Sequence, residues 1–107
     1  MQIENEGLLT QLGYHPDSAT LAQLQTIEEK TPGFEKIKKH IVALHDHLKN
    51  YGGFVALSNS VPHLKVKISD PSKQEIALEE LNKWAQKYNV TLQKVQGKET
   101  YYIVSVS

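Results

Sequence analysis

One apolar stripe constrains the fold of this chain more than any other feature. Between residues 34 and 51, apolar side chains recur at intervals that alternate between three and four, at Phe34, Ile37, Ile41, Leu44, Leu48 and Tyr51. Side chains at this spacing share one side of an α-helix, so the stretch predicts a helix that buries one face. Thr31 and Pro32 suit its cap and first turn, and Gly52 suits its left-handed end. The stripe spans only about two and a half heptads, which favours a core-facing helix over a coiled coil.

Three further helices are predicted from shorter patterns. Leu8, Leu9 and Leu12 indicate one or two helical turns that stop at Gly13. A second helix over about residues 19–30 follows Asp17 or Ser18 as its cap. The last begins at Asp70 and Pro71 and ends near Asn89. Its apolar stripe consists of Ala77, Leu78, Leu81, Trp84, Ala85 and Tyr88.

Between and after the long helices, the apolar period changes to that of β-strands. Strands are predicted at residues 54–57, 64–68, 90–95 and 100–106. Lys65 and Lys67 alternate with three apolar residues and should face solvent, whereas residues 101–104 are apolar on both faces and belong inside a sheet. The residues expected to be buried together are Ile41, Leu44, Leu64, Val66, Leu81, Trp84, Ile103 and Val104.

These elements predict an α+β fold in a single domain of 107 residues. A short N-terminal helical arm, residues 1–31, precedes an αββαββ core, residues 32–107. The core forms a four-stranded, mainly antiparallel sheet with two long helices on one face. A shift of 37 residues aligns Leu44 with Leu81 and Tyr51 with Tyr88. An internal duplication explains this match, and so does the shared pattern of any two amphipathic helices followed by hairpins.

Composition excludes several classes of function. The chain has no cysteine, which excludes disulfide scaffolds, thiolate zinc sites and thiol nucleophiles. Its twelve basic residues balance its twelve acidic residues and are all lysine, and the absence of arginine disfavours sequence-specific recognition of nucleic acid. Glutamates stand where a signal peptide would carry basic residues, and no apolar run reaches membrane-spanning length. We therefore expect a soluble, cytoplasmic protein without a membrane partner.

No group of residues has the spacing of a catalytic, cofactor or metal site. His40, His45 and His47 fall in one predicted helix, but no two of them have the i, i+4 spacing of a helical metal pair. We interpret the three histidines as flanks of the apolar stripe. The sequence therefore predicts a protein without enzymatic activity, cofactor or bound metal.

The remaining candidates form an interaction surface. His40 and His47 flank the stripe where a solvated helix would carry charge, and Lys65 and Lys67 lie on an exposed strand face beside Tyr101 or Tyr102. We hypothesise a small protein-interaction module that binds a protein partner or forms a homodimer. The alternative is a weak, non-specific nucleic-acid-binding domain that uses lysine and tyrosine on the sheet, with Tyr101 as the favoured ring.

Overall fold

The computed structural model describes residues 4–107, so the first three residues of the predicted arm lie outside the described residues. The predicted α+β class and the order αββαββ after the arm are confirmed. The helices and strands are α1 (Asn5–Gln11), α2 (Ser18–Lys30), α3 (Lys38–Leu48), β1 (Gly53–Leu57), β2 (Leu64–Ile68), α4 (Gln74–Tyr88), β3 (Val90–Lys94) and β4 (Thr100–Val106).

The four strands form one sheet in the order β1-β2-β4-β3, and all three neighbouring pairs are antiparallel. Each hairpin pairs within itself, and β2 and β4 join the two hairpins. Residues 101–104 belong to β4, which lies between β2 and β3, as predicted for a strand that is apolar on both faces. Lys65 and Lys67 point away from the buried face, as expected.

One hydrophobic core lies between the sheet and the long helices. It contains Ile41 and Leu44 of α3, Leu81 and Trp84 of α4, and the inward side chains of β1, β2 and β4. Val104 was expected in this core but is only half-buried. Val104 follows Ile103, which faces the core, so the alternation of side chains along β4 turns Val104 toward the open face. The register of β3 against β4 shifts between Thr91 and Leu92.

The start of α3 differs from the prediction that Thr31 caps the helix and Pro32 opens it. The Thr31 hydroxyl instead makes a hydrogen bond of 2.9 Å with Nδ1 of His63, and the Pro32 carbonyl accepts one of 2.7 Å from the Val106 N–H. Gly33 then takes a left-handed conformation, and a 3-10 turn precedes the α-helix. Contacts with the sheet thus delay the helix to Lys38, while its end at a left-handed Gly52 is as predicted.

The other predicted helix ends are largely confirmed. Asp17 caps α2 and forms a reciprocal capping box with Thr20. The Asp70 carboxylate accepts a hydrogen bond from the Ser72 N–H, and a 3-10 turn at Pro71–Lys73 leads into α4. Asn89 ends α4 in the left-handed conformation.

The arm belongs to the same core as the rest of the chain. Leu8, Leu9, Leu24 and Ile27 are fully buried in the cluster that also includes α3 and the sheet. The Lys38 ammonium group lies 3.4 Å from the Glu28 carboxylate, which joins the arm to α3. The arm therefore packs beside α3, and the sheet face opposite the helices stays open. Among residues 4–107, the helices are too short or too polar to cross a bilayer.

The core consists of two αββ units, called here the two structural repeats, in which several equivalent positions are 37 residues apart. The 3-10 turn Phe34–Lys36 corresponds to Pro71–Lys73, β1 corresponds to β3, and the left-handed Gly52 corresponds to Asn89. The pairing of Val55 with Val66 recurs as the pairing of Leu92 with Ile103. The helices differ in their bounds, and the strand register agrees only for the three pairs from Leu92 to Lys94. An internal duplication and the shared pattern of two helix-hairpin units therefore both explain the match. The arm contacts the first repeat at α3 and, through Tyr14 and Gln23, at the hairpin of β1 and β2.

Candidate interaction surfaces

The open face of the sheet carries the predicted lysines together with Tyr102. Lys65 pairs directly with Tyr102 across β2 and β4, and Lys67 pairs with Phe54 across β1 and β2. Directly paired residues in an antiparallel sheet point to the same side. The two lysines of β2 therefore stand between an aromatic ring on each neighbouring strand.

Tyr101, which was the favoured ring for this surface, lies on the opposite side of the sheet. It pairs with the core residue Val66 and is 7% exposed. Its hydroxyl donates a hydrogen bond of 2.9 Å to Oε2 of Glu99, and burial together with this carboxylate raises the pKa of Tyr101 to about 12. A strand that is apolar on both faces does not reveal which of two adjacent tyrosines points inward. The pairing of β4 with β2 turns Tyr101 to the core and Tyr102 to the open face.

The Tyr102 ring is held at the surface by the loop between β1 and β2. Its hydroxyl lies 3.1 Å from the hydroxyl of Ser60. That hydrogen bond lowers the pKa of Tyr102, and the positive charges of Lys65 and Lys98 lower it further. The phenol therefore has a fixed position in a positively charged environment.

A concavity of about 660 Å³ runs over this part of the open face. Lys65, Lys67 and Lys98 line it, and none of the three forms an ion pair with a carboxylate within the described part of the chain. The nearby Glu99 carboxylate instead interacts with Lys94 at 3.6 Å and with Tyr101. The concavity therefore carries unbalanced positive charge.

The predicted histidines His40 and His47 lie between α3 and α4. The His40 ring stacks on Tyr88 with centroids 4.0 Å apart, and the Trp84 Nε1–H donates to the His40 carbonyl at 3.2 Å. Nε2 of His47 lies 3.1 Å from Oε2 of Glu80. Burial, with smaller contributions from two nearby lysines, lowers the pKa of His40. Both histidines thus contact α4 of their own chain.

His45 performs a role that the sequence did not reveal. It is 4% exposed, and its Nδ1 accepts a hydrogen bond of 3.0 Å from the Val55 N–H on the free edge of β1. The Tyr14 hydroxyl accepts the next outward bond, from Leu57, also at 3.0 Å. Burial lowers the pKa of His45, which agrees with a neutral ring whose Nδ1 accepts a hydrogen bond. Two side chains therefore close this edge of the sheet.

The free edge of β3 has no such cover. The Val95 N–H donates to the Thr100 carbonyl at 2.8 Å, and ladder bonds in antiparallel strands alternate, so Leu92 and Lys94 direct their N–H groups outward. Across residues 4–107, neither group has a side-chain acceptor like those on β1. The repeat places Asn82 where the first repeat has His45, and this exposed residue lines a concavity of about 510 Å³ beside β3.

The histidines of α3 do not converge on a metal position. His40 faces Tyr88, His45 faces β1 and His47 faces Glu80. Over the described range, no three residues of the metal-binding types lie close enough together to hold an ion.

Comparison of the chain with protein-family models, with curated proteins and with solved structures found no match. Its surfaces therefore carry the arguments about function.

Proposed function

We propose that this protein is a small non-enzymatic interaction module that pairs with a second copy of itself along the free edge of β3. The contrast between the two edges of the sheet carries this proposal. His45 and Tyr14 accept the outward hydrogen bonds of β1, whereas Leu92 and Lys94 of β3 present theirs to solvent. An uncovered row of backbone donors and acceptors is a template for another strand.

A second copy fits this edge because β3 is complementary to itself. A two-fold axis at Leu92 would place this residue opposite its own copy, Val90 opposite Lys94, and Thr91 opposite Gln93. No like charges would face each other. The polar pair of Thr91 and Gln93 would lie on one side of the sheet, and the pairs formed by Leu92, Val90 and Lys94 would lie on the other. Closed two-fold dimers are also the commonest form of protein assembly.

The rest of the molecule leaves room for this pairing. The arm lies against the first repeat, and the helix next to β3 carries the polar Asn82 and Gln86 beside the edge. Main-chain hydrogen bonds, rather than a large apolar contact, would therefore supply most of the affinity. We expect a reversible dimer whose population depends on protein concentration.

Sedimentation equilibrium of the full chain, up to millimolar concentration, tests the proposal. Lys94→Pro removes an outward N–H and no bond to β4, because proline is tolerated on an edge strand whose N–H faces solvent. Lys94→Ala is the matched control, since it removes the same side chain and keeps the N–H. We expect the alanine variant to associate like the natural chain and the proline variant to be monomeric, with circular dichroism showing both folded.

Two results would contradict the proposed dimer. One is a natural chain that stays monomeric over the whole concentration range, and the other is equal association of the two variants.

The pH dependence of association identifies a competing surface. Association through the surface around His40 would weaken as the pH falls and this imidazole gains charge. Association through β3, which has no histidine, should change little as the pH falls.

A further inference from the structure

The open face of the sheet presents two aromatic rings on either side of a pair of lysines. Phe54 on β1 and Tyr102 on β4 flank Lys65 and Lys67 on β2. The rings are two strands and two residues apart, which corresponds to roughly 12 Å at ordinary strand spacing and rise. The loop residue Ser60 fixes one ring, and half-buried Phe54 is held in the strand.

The charges on this face favour an anionic ligand. Lys98 adds a third positive charge to those of Lys65 and Lys67 along the concavity. Glu99 is the acidic residue lining it, and its carboxylate is occupied by Lys94 and Tyr101. The chain as a whole has a net charge of zero, so the positive field is a property of this surface and not of the protein in general.

We propose that this face binds single-stranded nucleic acid, with backbone phosphates on Lys65, Lys67 and Lys98 and bases stacked on Tyr102 and Phe54. Aromatic rings stack with any base, and lysine contacts phosphate as a point charge. The chain has no arginine for bidentate contacts with base edges, so binding is independent of sequence and strongly dependent on salt. This surface is separate from the edge of β3.

Fluorescence anisotropy with a labelled oligodeoxythymidylate at low salt measures the binding. The test variant is Lys65→Gln with Lys67→Gln, and the control is Lys36→Gln with Lys39→Gln, which removes equal charge from exposed residues on the helix side. We expect the test pair to reduce the slope of log affinity against log salt by about 1.4, as for two lost phosphate contacts on a single strand. The control pair should leave the slope unchanged.

A second comparison separates stacking from charge. Tyr102→Leu removes the ring and should weaken binding by about fivefold or more. Tyr102→Phe keeps the ring and loses only its hydrogen bond with Ser60, so it should bind more tightly than the leucine variant. An oligomer of abasic deoxyribose phosphates keeps the charges and should bind less tightly than the thymidylate.

Three outcomes would overturn this proposal. The first is no detectable binding to the natural chain at low salt. The second is an equal loss of affinity in the two lysine pairs, which would indicate a general electrostatic effect. The third is equal affinity for the abasic and thymidylate oligomers, which would assign the face to polyanions without stacked bases. Thermal unfolding of each variant establishes that the native fold is retained.

Discussion

Nδ1 of His45 lies 3.0 Å from the backbone nitrogen of Val55 and accepts its hydrogen bond. The contact joins α3 to the outer side of β1, so a single side chain both packs in the core and completes the edge of the sheet. Only a neutral imidazole can accept this bond, because both ring nitrogens of the charged form are donors.

Loss of this acceptor should destabilise the fold. His45→Ala leaves a buried N–H without a partner and should reduce the free energy of unfolding by about 1–3 kcal/mol. His45→Asn should cost less, because its side-chain oxygen can take the place of Nδ1. Urea unfolding measures both changes. Equal losses in the two variants would show that packing of the ring, rather than the hydrogen bond, stabilises this position.

The same residue should make stability depend on pH. Burial lowers the pKa of His45 in the folded chain, so below about pH 6.5 the unfolded chain takes up a proton that the folded chain does not. The free energy of unfolding should therefore be fully retained above pH 6.5 and fall as the pH decreases toward the pKa of the folded state. His45→Asn should flatten this dependence. Identical pH profiles for the natural chain and the His45→Asn variant would contradict the assignment.

The repeat predicts equivalent roles for Leu44 and Leu81. Both leucines are almost completely buried in the shared core and are 37 residues apart. Leu44→Ala and Leu81→Ala should each reduce the free energy of unfolding by about 2–5 kcal/mol in chemical denaturation. Ile76→Ala is the control, since this side chain is 51% exposed and its removal should cost much less. A reduction of only about a few tenths of a kcal/mol in the free energy of unfolding for Leu44→Ala would contradict the packing of this face of α3 in the core.

Gly33 and Gly97 form a matched pair with φ angles of 79° and 78°. Alanine at either position adds backbone strain of about 1–2 kcal/mol. At Gly33 the new Cβ would also meet the carbonyl oxygen of Val106 and lie 2.9 Å from its Cβ, whereas at Gly97 it would enter open space. The midpoint of thermal unfolding should therefore fall clearly further for Gly33→Ala than for Gly97→Ala. Equal losses would mean that the turn moves away from β4 without cost.

Zinc or nickel should not stabilise the protein. A metal bound to the native state alone raises its unfolding temperature, and the three histidines of α3 face separate partners. We expect the same midpoint with metal and with chelator. A large increase that His47→Ala abolishes would instead establish a site.

The sequence predicted the elements well because both long helices and β2 have clear apolar periods. It predicted the start of α3 less well, since Thr31 and Pro32 bond to His63 and Val106, which are distant in sequence. Propensity favours a cap at Thr31, but these tertiary contacts take precedence. Val104 was misplaced for a different reason: adjacent residues of a strand point to opposite faces, so Ile103 and Val104 cannot both face the core.

The surfaces were predicted less completely than the fold. The alternation around Lys65 and Lys67 correctly placed both lysines on the open face. Whether Tyr101 or Tyr102 faces the open side was decided only by the pairing of β4 with β2. Residues 101–104 are all apolar or aromatic, so the sequence of β4 does not distinguish its two faces. The role of His45 was invisible because its partner is a backbone group, which carries no sequence signal. Its position next to Leu44, at the border of the apolar stripe, was the available indication.

The two structural repeats also suggest the order in which the chain folds. Within each repeat, the helix packs on the strand that follows it, α3 on β1 and α4 on β3, so these contacts close short loops and form at little entropic cost. The ladder between β2 and β4 must instead join residues 37 or so apart around the pair Lys65 and Tyr102. Docking of these two strands is therefore the step expected to limit the folding rate. Substitutions along their seam should slow folding, whereas substitutions in β3 should mainly accelerate unfolding.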